Sequence, residues 1–224
     1  MGVTVKYINS NLLGNYQGTS GSGVAMKPAQ TVAADISYFQ TKSYPNLTTI
    51  NWGATISNIS GKVSYGGNEK NFIPTNARLG AAIIKEIDKH KFTIALDFNK
   101  LLVPTPQSID ANGNIVGNDP SKITAIGGMF GSLSDAPDGF GEELKEITTS
   151  TGMEYSYDEI FMGRLGLFNE SEMKGNRKYF TCGVGFRIDQ LFGFDISYLI
   201  PFGSNNPLGN TLRFSLSANL KSKK

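Results

Sequence analysis

The side chains that most often carry enzyme chemistry are few in this sequence and poorly placed for one another. His90 is the single histidine, it stands between Lys89 and Lys91, and no Gly-x-Ser-x-Gly motif accompanies it. A Ser–His–Asp hydrolase needs a histidine held between a nucleophile and a carboxylate. We therefore interpret His90 as part of a solvated turn and predict that the protein is not an enzyme.

The carboxylates and the cysteine lead to the same prediction. Glu142 and Glu143 are adjacent, so they do not form a positioned acid–base pair, and we expect them on a solvated helix face. Cys182 is the only cysteine, which excludes an internal disulfide and a cysteine-based metal cluster. Residues 180, 182 and 184 share one face of a strand, and Phe180 and Val184 are apolar. We therefore predict that Cys182 behaves as a small apolar side chain facing lipid. No phosphate-binding loop and no metal-ligand spacing is found, so we predict no cofactor and no metal.

Composition narrows the class of protein. The 224 residues have a formal net charge of +2, which lacks the basic footprint of nucleic-acid binding. The sequence contains no run of 18 apolar residues, so it predicts no membrane helix. The strands of a membrane barrel are polar at every second position, so this criterion does not detect them. The length suits one domain, residues 1–224. The first ten residues lack the pattern of a signal peptide, so we expect a mature chain or a fragment.

Alternation of apolar and polar residues predicts about ten strands. In the last of them Leu212, Phe214 and Leu216 point one way and Arg213 and Ser215 the other. The strand lengths are close to the 9–11 residues that cross a bilayer as a tilted strand. The predicted strands are Val3–Ser10, Thr31–Gln40, Leu47–Ile59, Asn76–Ile87, Lys91–Leu101, Thr148–Tyr157, Ile160–Asn169, Lys178–Arg187, Phe192–Ile200 and Thr211–Leu220.

The connections between these strands alternate between short and long. Outer-membrane barrels are built in this way, with short periplasmic turns and longer extracellular loops. The pattern favours an all-β, antiparallel, up-and-down transmembrane β-barrel, and a soluble barrel or sandwich is the alternative. The short connections are residues 41–46, 88–90, 158–159 and 188–191, and the long ones are residues 11–30, 60–75, 102–146, 170–177 and 201–210.

If the strands cross a membrane, their apolar face contacts lipid and their polar face lines the lumen. The polar positions carry charges of both signs, which predicts cross-strand ion pairs and leaves a polar conduction path as the alternative. The predicted lipid-facing residues are Trp52, Phe92, Ile94, Leu96, Phe194, Ile196, Tyr198, Leu212, Phe214 and Leu216. The predicted lumen residues are Asp35, Asp97, Glu154, Arg164, Arg187, Asp195 and Arg213.

The connection 102–146 is too long for a hairpin turn, and loops of this length are usually functional or disordered. Its second half is apolar and predicted to be partly helical, with a short helix at Glu142–Ile147. Apolar residues exposed in an extracellular loop would mark an interaction site, and the alternative is a plug over the barrel mouth. The candidate partner-binding residues are Met129, Phe130, Leu133, Asp135 and Phe140, with Leu101, Pro104 and Pro106 at the rim of the loop.

Five segments of the sequence carry a resemblance to a known family: LDFNKLLVPTP (96–106), GMFGSLSDAPDGFGEELKEI (128–147), KGNRKYFTCGVGFR (174–187), GFDISYLIP (193–201) and NNPLGNTLRFSL (205–216). Together they resemble the PorV family, also called LptO, a group of outer-membrane β-barrels of the type IX secretion system in Bacteroidetes. The resemblance covers most of the chain from about residue 48 onward and is weaker before it. The wider group is similar to the long-chain fatty-acid transporter.

The resemblance implies a fourteen-stranded barrel in the cell outer membrane, so the ten predicted strands would be the C-terminal part of such a protein, truncated at its N-terminal side. It implies a protein that binds the C-terminal signal domains of secreted cargo. Such a protein passes cargo from the translocon SprA, also called Sov, to the attachment complex with the sortase PorU, where cargo is fixed to lipopolysaccharide. The alternative is an outer-membrane channel for hydrophobic small molecules, like the fatty-acid transporter relatives.

Overall fold

The computed structural model describes residues 1–12, 26–66, 70–105, 107–109, 115–116, 119, 121–137, 139–188, 191–202, 209 and 211–219. Ten long strands form one sheet in which each strand is hydrogen-bonded to its neighbours in chain order. A separate two-stranded sheet, β6 and β7, and two short helices interrupt that order between β5 and β8. The elements are β1 (Gly2–Ser10), β2 (Ala29–Tyr44), β3 (Thr48–Ser60), β4 (Asn76–Ile87), β5 (His90–Leu101), β6 (Ser108–Ile109), β7 (Ile115–Val116), α1 (Ala125–Gly131), α2 (Phe140–Lys145), β8 (Ile147–Tyr157), β9 (Phe161–Asn169), β10 (Lys178–Ile188), β11 (Phe192–Pro201) and β12 (Thr211–Ala218).

This order confirms the predicted all-β, antiparallel, up-and-down fold. Each predicted strand is present, because a two-residue alternation is a local pattern that the chain can satisfy only as a strand. Strand β2 is longer than predicted at both ends, and Leu220, the predicted end of the last strand, lies outside the described residues. In the described residues β1 and β12 are the outer strands of the order, so the sheet is not closed and barrel closure stays a prediction.

The internal contacts divide the chain into two compact units. The first contains β1, most of β2 and the long loop, and the second contains β8 to β12. No helix in the described part of the chain combines the length and apolar character needed to span a membrane. The first unit comprises Met1–Tyr38, Ala54–Arg78 and Lys100–Glu146, and the second comprises Phe39–Gly53, Leu79–Asn99 and Ile147–Lys224.

In the first unit, β1 and β2 pair from Gly2 opposite Ser37 to Ser10 opposite Ala29. This register brings Lys6 Nζ to 2.8 Å from Asp35 Oδ1. The backbone N–H of Asn58 also donates to Asp35, at 2.8 Å, and Lys6 donates to the amide oxygen of Asn58 at 2.6 Å. The predicted lumen residue Asp35 is thus held by an ammonium group and a backbone amide.

In the second unit, the side chains on one face of β8 to β12 are apolar and exposed. Leu165, Phe194 and Phe214 are between 46% and 69% exposed. The alternating positions of β8 to β11 are less exposed and many of them are polar, whereas those of β12 are exposed as well. Apolar side chains are usually the buried ones in a water-soluble sheet with one covered face. In this unit, by contrast, the apolar face of the sheet is the exposed one.

Gly183 in β10 tests how tightly neighbouring strands pack in this unit. A Cβ atom at this position would lie 3.0 Å from the carbonyl oxygen of Ile196 and 3.2 Å from Cβ of Ser197. We predict that Gly183→Ala lowers the free energy of unfolding by about 1–2 kcal/mol, because the backbone of β11 must move. Urea unfolding followed by the fluorescence of Trp52, the single tryptophan, measures this.

Gly152→Ala in β8 is the matched control for this prediction. Its new Cβ atom would find its nearest neighbour, the carbonyl oxygen of Leu165, at 3.9 Å, an ordinary contact distance. We expect this variant to change the free energy of unfolding by less than about 0.5 kcal/mol. Equal destabilisation by the two alanine substitutions would contradict the packing argument.

Candidate functional site

The helices of the long loop begin and end at identifiable residues. The hydroxyl of Thr124 accepts a hydrogen bond from Gly127 N–H at 3.0 Å and so caps the start of α1. Helix α2 follows Gly139, whose φ of 74° lies in the left-handed region that favours glycine. The short helix predicted at Glu142–Ile147 is present, although it begins at Phe140 and ends at Lys145.

A buried ion cluster fixes α2 to the last residues of β5. Lys100 Nζ lies 2.7 Å from Glu143 Oε2 and 2.6 Å from Glu146 Oε2, and the three side chains are only 8% to 15% exposed. The other carboxylate oxygen of Glu143 accepts from the backbone N–H of Ala136 at 2.8 Å. Burying a charge is costly unless it is paired and hydrogen-bonded, and this cluster meets both conditions.

The expected solvated face for Glu142 and Glu143 is therefore wrong, because both residues are buried. Glu143 serves as the counter-charge of Lys100, which lies 43 residues earlier in the chain. No local pattern around two adjacent glutamates shows a partner at that distance.

A second set of contacts holds the turn after α1. The backbone N–H and the hydroxyl of Thr105 donate to the carboxylate of Asp135 at 3.0 and 3.1 Å. Helix α1 also comes close to two rings, because a Cβ atom at Gly128 would lie 2.6 Å from Phe72 Cε1 and 2.7 Å from Pro104 Cγ. Both helices of the loop are thus fixed by contacts to other segments of the same unit.

The structure separates the five candidate partner-binding residues into two groups. Phe130, Leu133 and Phe140 are 63%, 55% and 77% exposed. Met129 is buried, and Asp135 is engaged with Thr105 inside the loop. The sequence suggested all five together, because composition does not show which way a short helix is turned.

Two exposed apolar residues of the loop were not predicted. Ile126 is 61% exposed and Leu144 is 52% exposed. Ile126 stands four residues before Phe130 on α1, and residues with this spacing share one face of a helix. That spacing could have identified Ile126. We refer to Ile126, Phe130, Leu133, Phe140 and Leu144 as the loop patch.

The three residues predicted at the rim of the loop differ in their exposure and in whether the structure describes them. Leu101 is 44% exposed at the end of β5. Pro104 is buried beneath α1 and does not form a rim. Pro106 lies outside the described residues.

Four of the predicted lumen residues form one ion network on the polar face of the second unit. Arg164 Nε lies 2.5 Å from Glu154 Oε2, and Arg164 Nη1 lies 2.5 Å from Asp195 Oδ1. Arg187 Nη2 lies 3.0 Å from Asp195 Oδ2. The network joins β8, β9, β10 and β11, and it can cross β10 because Gly185 has no side chain there. A Cβ atom at Gly185 would lie 2.5 Å from Asp195 Oδ1.

The other three lumen candidates have different neighbours. Asp97 lies against Gly80 in the second unit. Arg213 is exposed on β12, in register with Ser197 of β11. Asp35 pairs with Lys6 in the first unit. The role of all seven residues as lumen lining stays a prediction.

His90 is the first residue of β5 and lies beside two tyrosines. Its Nδ1 atom is 2.8 Å from the hydroxyl oxygen of Tyr155, and its ring stacks against that of Tyr155 and is tilted against that of Tyr157. Within the described residues, no group of three or more His, Cys, Asp or Glu side chains could hold a metal ion. The contacts of His90 are those of a residue in an aromatic cluster at the end of a strand.

The loop between β9 and β10 is closed by an ion pair. Arg177 donates to both carboxylate oxygens of Glu170 through its guanidinium group, at 2.6 Å each, and through its backbone N–H at 3.2 Å. These hydrogen bonds hold the pKa of the Glu170 carboxyl below its ordinary value of 4.5.

One family match bears on the identity of the chain. Residues 1–108 match the family described as type IX secretion system protein PorV. This match confirms the resemblance predicted from the sequence and supports a component of the type IX secretion system. It includes the first residues, where the resemblance was expected to be weaker, and of the five quoted segments it contains only LDFNKLLVPTP. No curated protein matches the chain.

We predict that Lys100→Met destabilises the attachment of α2 by about 3–5 kcal/mol, because it leaves two buried carboxylates without a counter-charge. Hydrogen exchange of the α2 amides measures this. Lys89→Met is the control, since Lys89 pairs with Asp158 at 2.6 Å on the surface and exposed pairs contribute about 1 kcal/mol or less. Unchanged protection of α2 in Lys100→Met would refute the anchoring role.

We predict that the contribution of Glu170 to stability depends on pH. Because its pKa is lowered in the folded protein, this contribution is present above pH 4.5 and is lost as the pH falls through the folded-state pKa. Glu170→Gln should therefore be less stable than the wild type at pH 7, and the difference should shrink in acid. Urea unfolding between pH 3 and pH 7 measures the difference.

Glu172→Gln is the control for the pH experiment. Glu172 pairs with Lys178 at 2.9 Å, but its side chain is 74% exposed, so solvent screens the pair and its removal should matter little at any pH. A Glu170→Gln variant whose stability follows that of Glu172→Gln at every pH would contradict the prediction.

Proposed function

Taking the PorV match over residues 1–108 as the premise, we propose that this chain acts in the cell outer membrane as a cargo-binding component of type IX secretion. It binds the C-terminal signal domains of secreted proteins. It passes cargo from the translocon SprA, also called Sov, to the attachment complex that contains the sortase PorU. It is not an enzyme in this role, and it needs no cofactor.

The observation that carries the binding role is the loop patch. Contiguous exposed apolar patches usually mark interaction sites, and in this proposal the five exposed side chains of the loop form one such patch. Lys100 holds α2, which carries Phe140 and Leu144, and Thr105 holds the turn after α1 through Asp135. Leu133 lies in that turn, and Ile126 and Phe130 lie on α1 just before it. A fixed loop loses less conformational entropy on binding than a mobile one. The patch is thus both apolar and preorganised, as a protein-binding surface requires.

The two faces of the second unit support the outer-membrane location. The exposed face of β8 to β12 is apolar, as lipid contact requires, and the charges lie on the other face. A lysine or arginine facing lipid at the bilayer midplane would cost about 2–4 kcal/mol. The outer-membrane lipids, with lipopolysaccharide in the outer leaflet, are therefore the proposed surroundings of the exposed face.

The ion network weighs against the alternative, a channel for hydrophobic small molecules. Glu154, Arg164, Asp195 and Arg187 are paired with one another. Paired charges of both signs stabilise a filled interior, whereas an apolar solute would need an apolar path. The cargo-binding role is the better supported of the two.

Capture of a purified C-terminal signal domain by the detergent-solubilised chain tests the proposal. We predict that the triple variant Phe130→Ser, Leu133→Ser, Phe140→Ser captures the domain at least about tenfold more weakly, because a few central apolar residues carry most of an interface's binding energy. Met173→Ser is the matched control, since Met173 is 56% exposed in the loop between β9 and β10.

The outcomes of the capture experiment separate the function from the site. Full capture by the triple variant would contradict the loop patch as the binding surface. Failure of the wild-type chain to capture any signal domain would contradict the cargo-binding role. An unchanged urea midpoint in the triple variant excludes a loss of folding, and it is expected because the three side chains are exposed.

A further inference from the structure

An apolar groove of about 700 Å³ runs across the exposed face of the second unit. It crosses β5, β8, β9, β10 and β11. Pockets of 300–1,000 Å³ with apolar walls are typical of ligand sites. The walls include Phe92, Met153, Tyr155, Leu165, Val184 and Ile196.

The groove exists because one strand position lacks a side chain. Tyr155, Gly163, Val184 and Ile196 are cross-strand partners in one row, so they share the exposed face. A Cβ atom at Gly163 would find nothing within 4 Å. Leu165, the next residue of β9 on the same face, is 51% exposed and forms a tall wall. The floor at Gly163 is therefore deeper than its surroundings by one side chain.

The occupant of this groove must be apolar. Glu154 and Arg164 belong to the strands that form the floor, but they are ion-paired with each other on the opposite face. The side chains that rise around the floor on the exposed face are aromatic, aliphatic or sulfur-containing. An uncharged hydrocarbon chain is complementary to such a surface, and the groove is continuous with the apolar face that is proposed to contact lipid.

The position of the groove along the strands identifies the leaflet. An adjacent row of cross-strand partners on the same face consists of Tyr157, Phe161, Phe186 and Phe194, next to the short turn between β8 and β9. Aromatic rows mark the membrane–water interface of barrels, and short turns lie on the periplasmic side. The groove is two residues further along the strands, about 5 Å deeper for a tilted strand. With the outer-membrane placement proposed above, the groove opens to the periplasmic leaflet, which consists of phospholipid.

We propose that this groove retains one acyl chain of a periplasmic-leaflet phospholipid as a bound ligand. The inference rests on the membrane location proposed above, but not on cargo binding. Gly163 determines the site, because its missing side chain makes the groove deep enough to hold an acyl chain. Lipids along the rest of the exposed face find no such groove and exchange freely.

The test is the phospholipid content of the purified chain after extensive detergent exchange, measured by mass spectrometry. The wild type should keep about one phospholipid per chain, as one groove of this size allows. Gly163→Phe should lower that content about tenfold, because the ring fills the floor. Leu167→Phe is the matched control and should keep the lipid. Leu167 stands on the same face of β9 and is 50% exposed, and it does not line the groove.

Val184→Phe narrows the groove from the neighbouring strand and replaces Gly163→Phe if that variant does not fold. Equal phospholipid content in the groove variants and Leu167→Phe would overturn the inference. So would retained lipopolysaccharide in place of phospholipid, or a lipid-free wild-type dimer that Gly163→Phe dissociates, since a second copy would then fill the groove.

Signal-domain capture by the same preparations separates this inference from the proposed function. Loss of phospholipid with unchanged capture supports the groove and leaves the cargo-binding role intact. If Gly163→Phe leaves the phospholipid content unchanged and capture is intact, only the inference about the groove is overturned. A wild-type chain absent from the outer-membrane fraction would overturn both.

Discussion

The two-residue period of the β-strand is the constraint on which the rest of this structure depends. Because successive side chains point to opposite faces, each strand separates its apolar residues from its charged ones. In the second unit this period leaves the apolar side chains exposed and gathers the charges on the other face. The ion network, the groove and the proposed membrane contact are all consequences of that separation.

Glycine controls what the strands can hold on each face. On the polar face, Gly185 lets Arg164 cross β10 and reach Asp195. On the apolar face, Gly163 opens the floor of a groove. The same absence of a side chain thus serves an ion pair on one face and an apolar cavity on the other.

Much of the fold could be predicted from the sequence because strand alternation is a local signal. The strands and the chain-order sheet follow from it, and the lumen candidates were chosen by the same parity. The pairing within the network needed the register, which places Glu154 opposite Arg164. The hairpin of β6 and β7 was missed because two-residue strands carry no period. The groove was missed because its walls come from neighbouring strands, and only the register shows which side chains surround Gly163.

The candidate site could be predicted only in part. Composition predicted exposed apolar residues in the loop, and Phe130, Leu133 and Phe140 are exposed, while their binding role stays a prediction. The burial of Met129 depends on how α1 is turned against its surroundings. The burial of Glu143 depends on Lys100, far away along the chain. Charge pairing between residues far apart in the chain leaves no local sequence pattern, so it can be recognised only from the structure, where α2 contacts the end of β5.

The attachment of α2 to the end of β5 has a mechanical consequence. Lys100 belongs to the strand, and Glu143 and Glu146 belong to α2 and the residue after it. A load applied to Phe140 would pass through two short ionic contacts into a hydrogen-bonded strand, rather than along the intervening chain. The loop can thus bear traction without being drawn out of shape, which suits the cargo-binding surface that we propose.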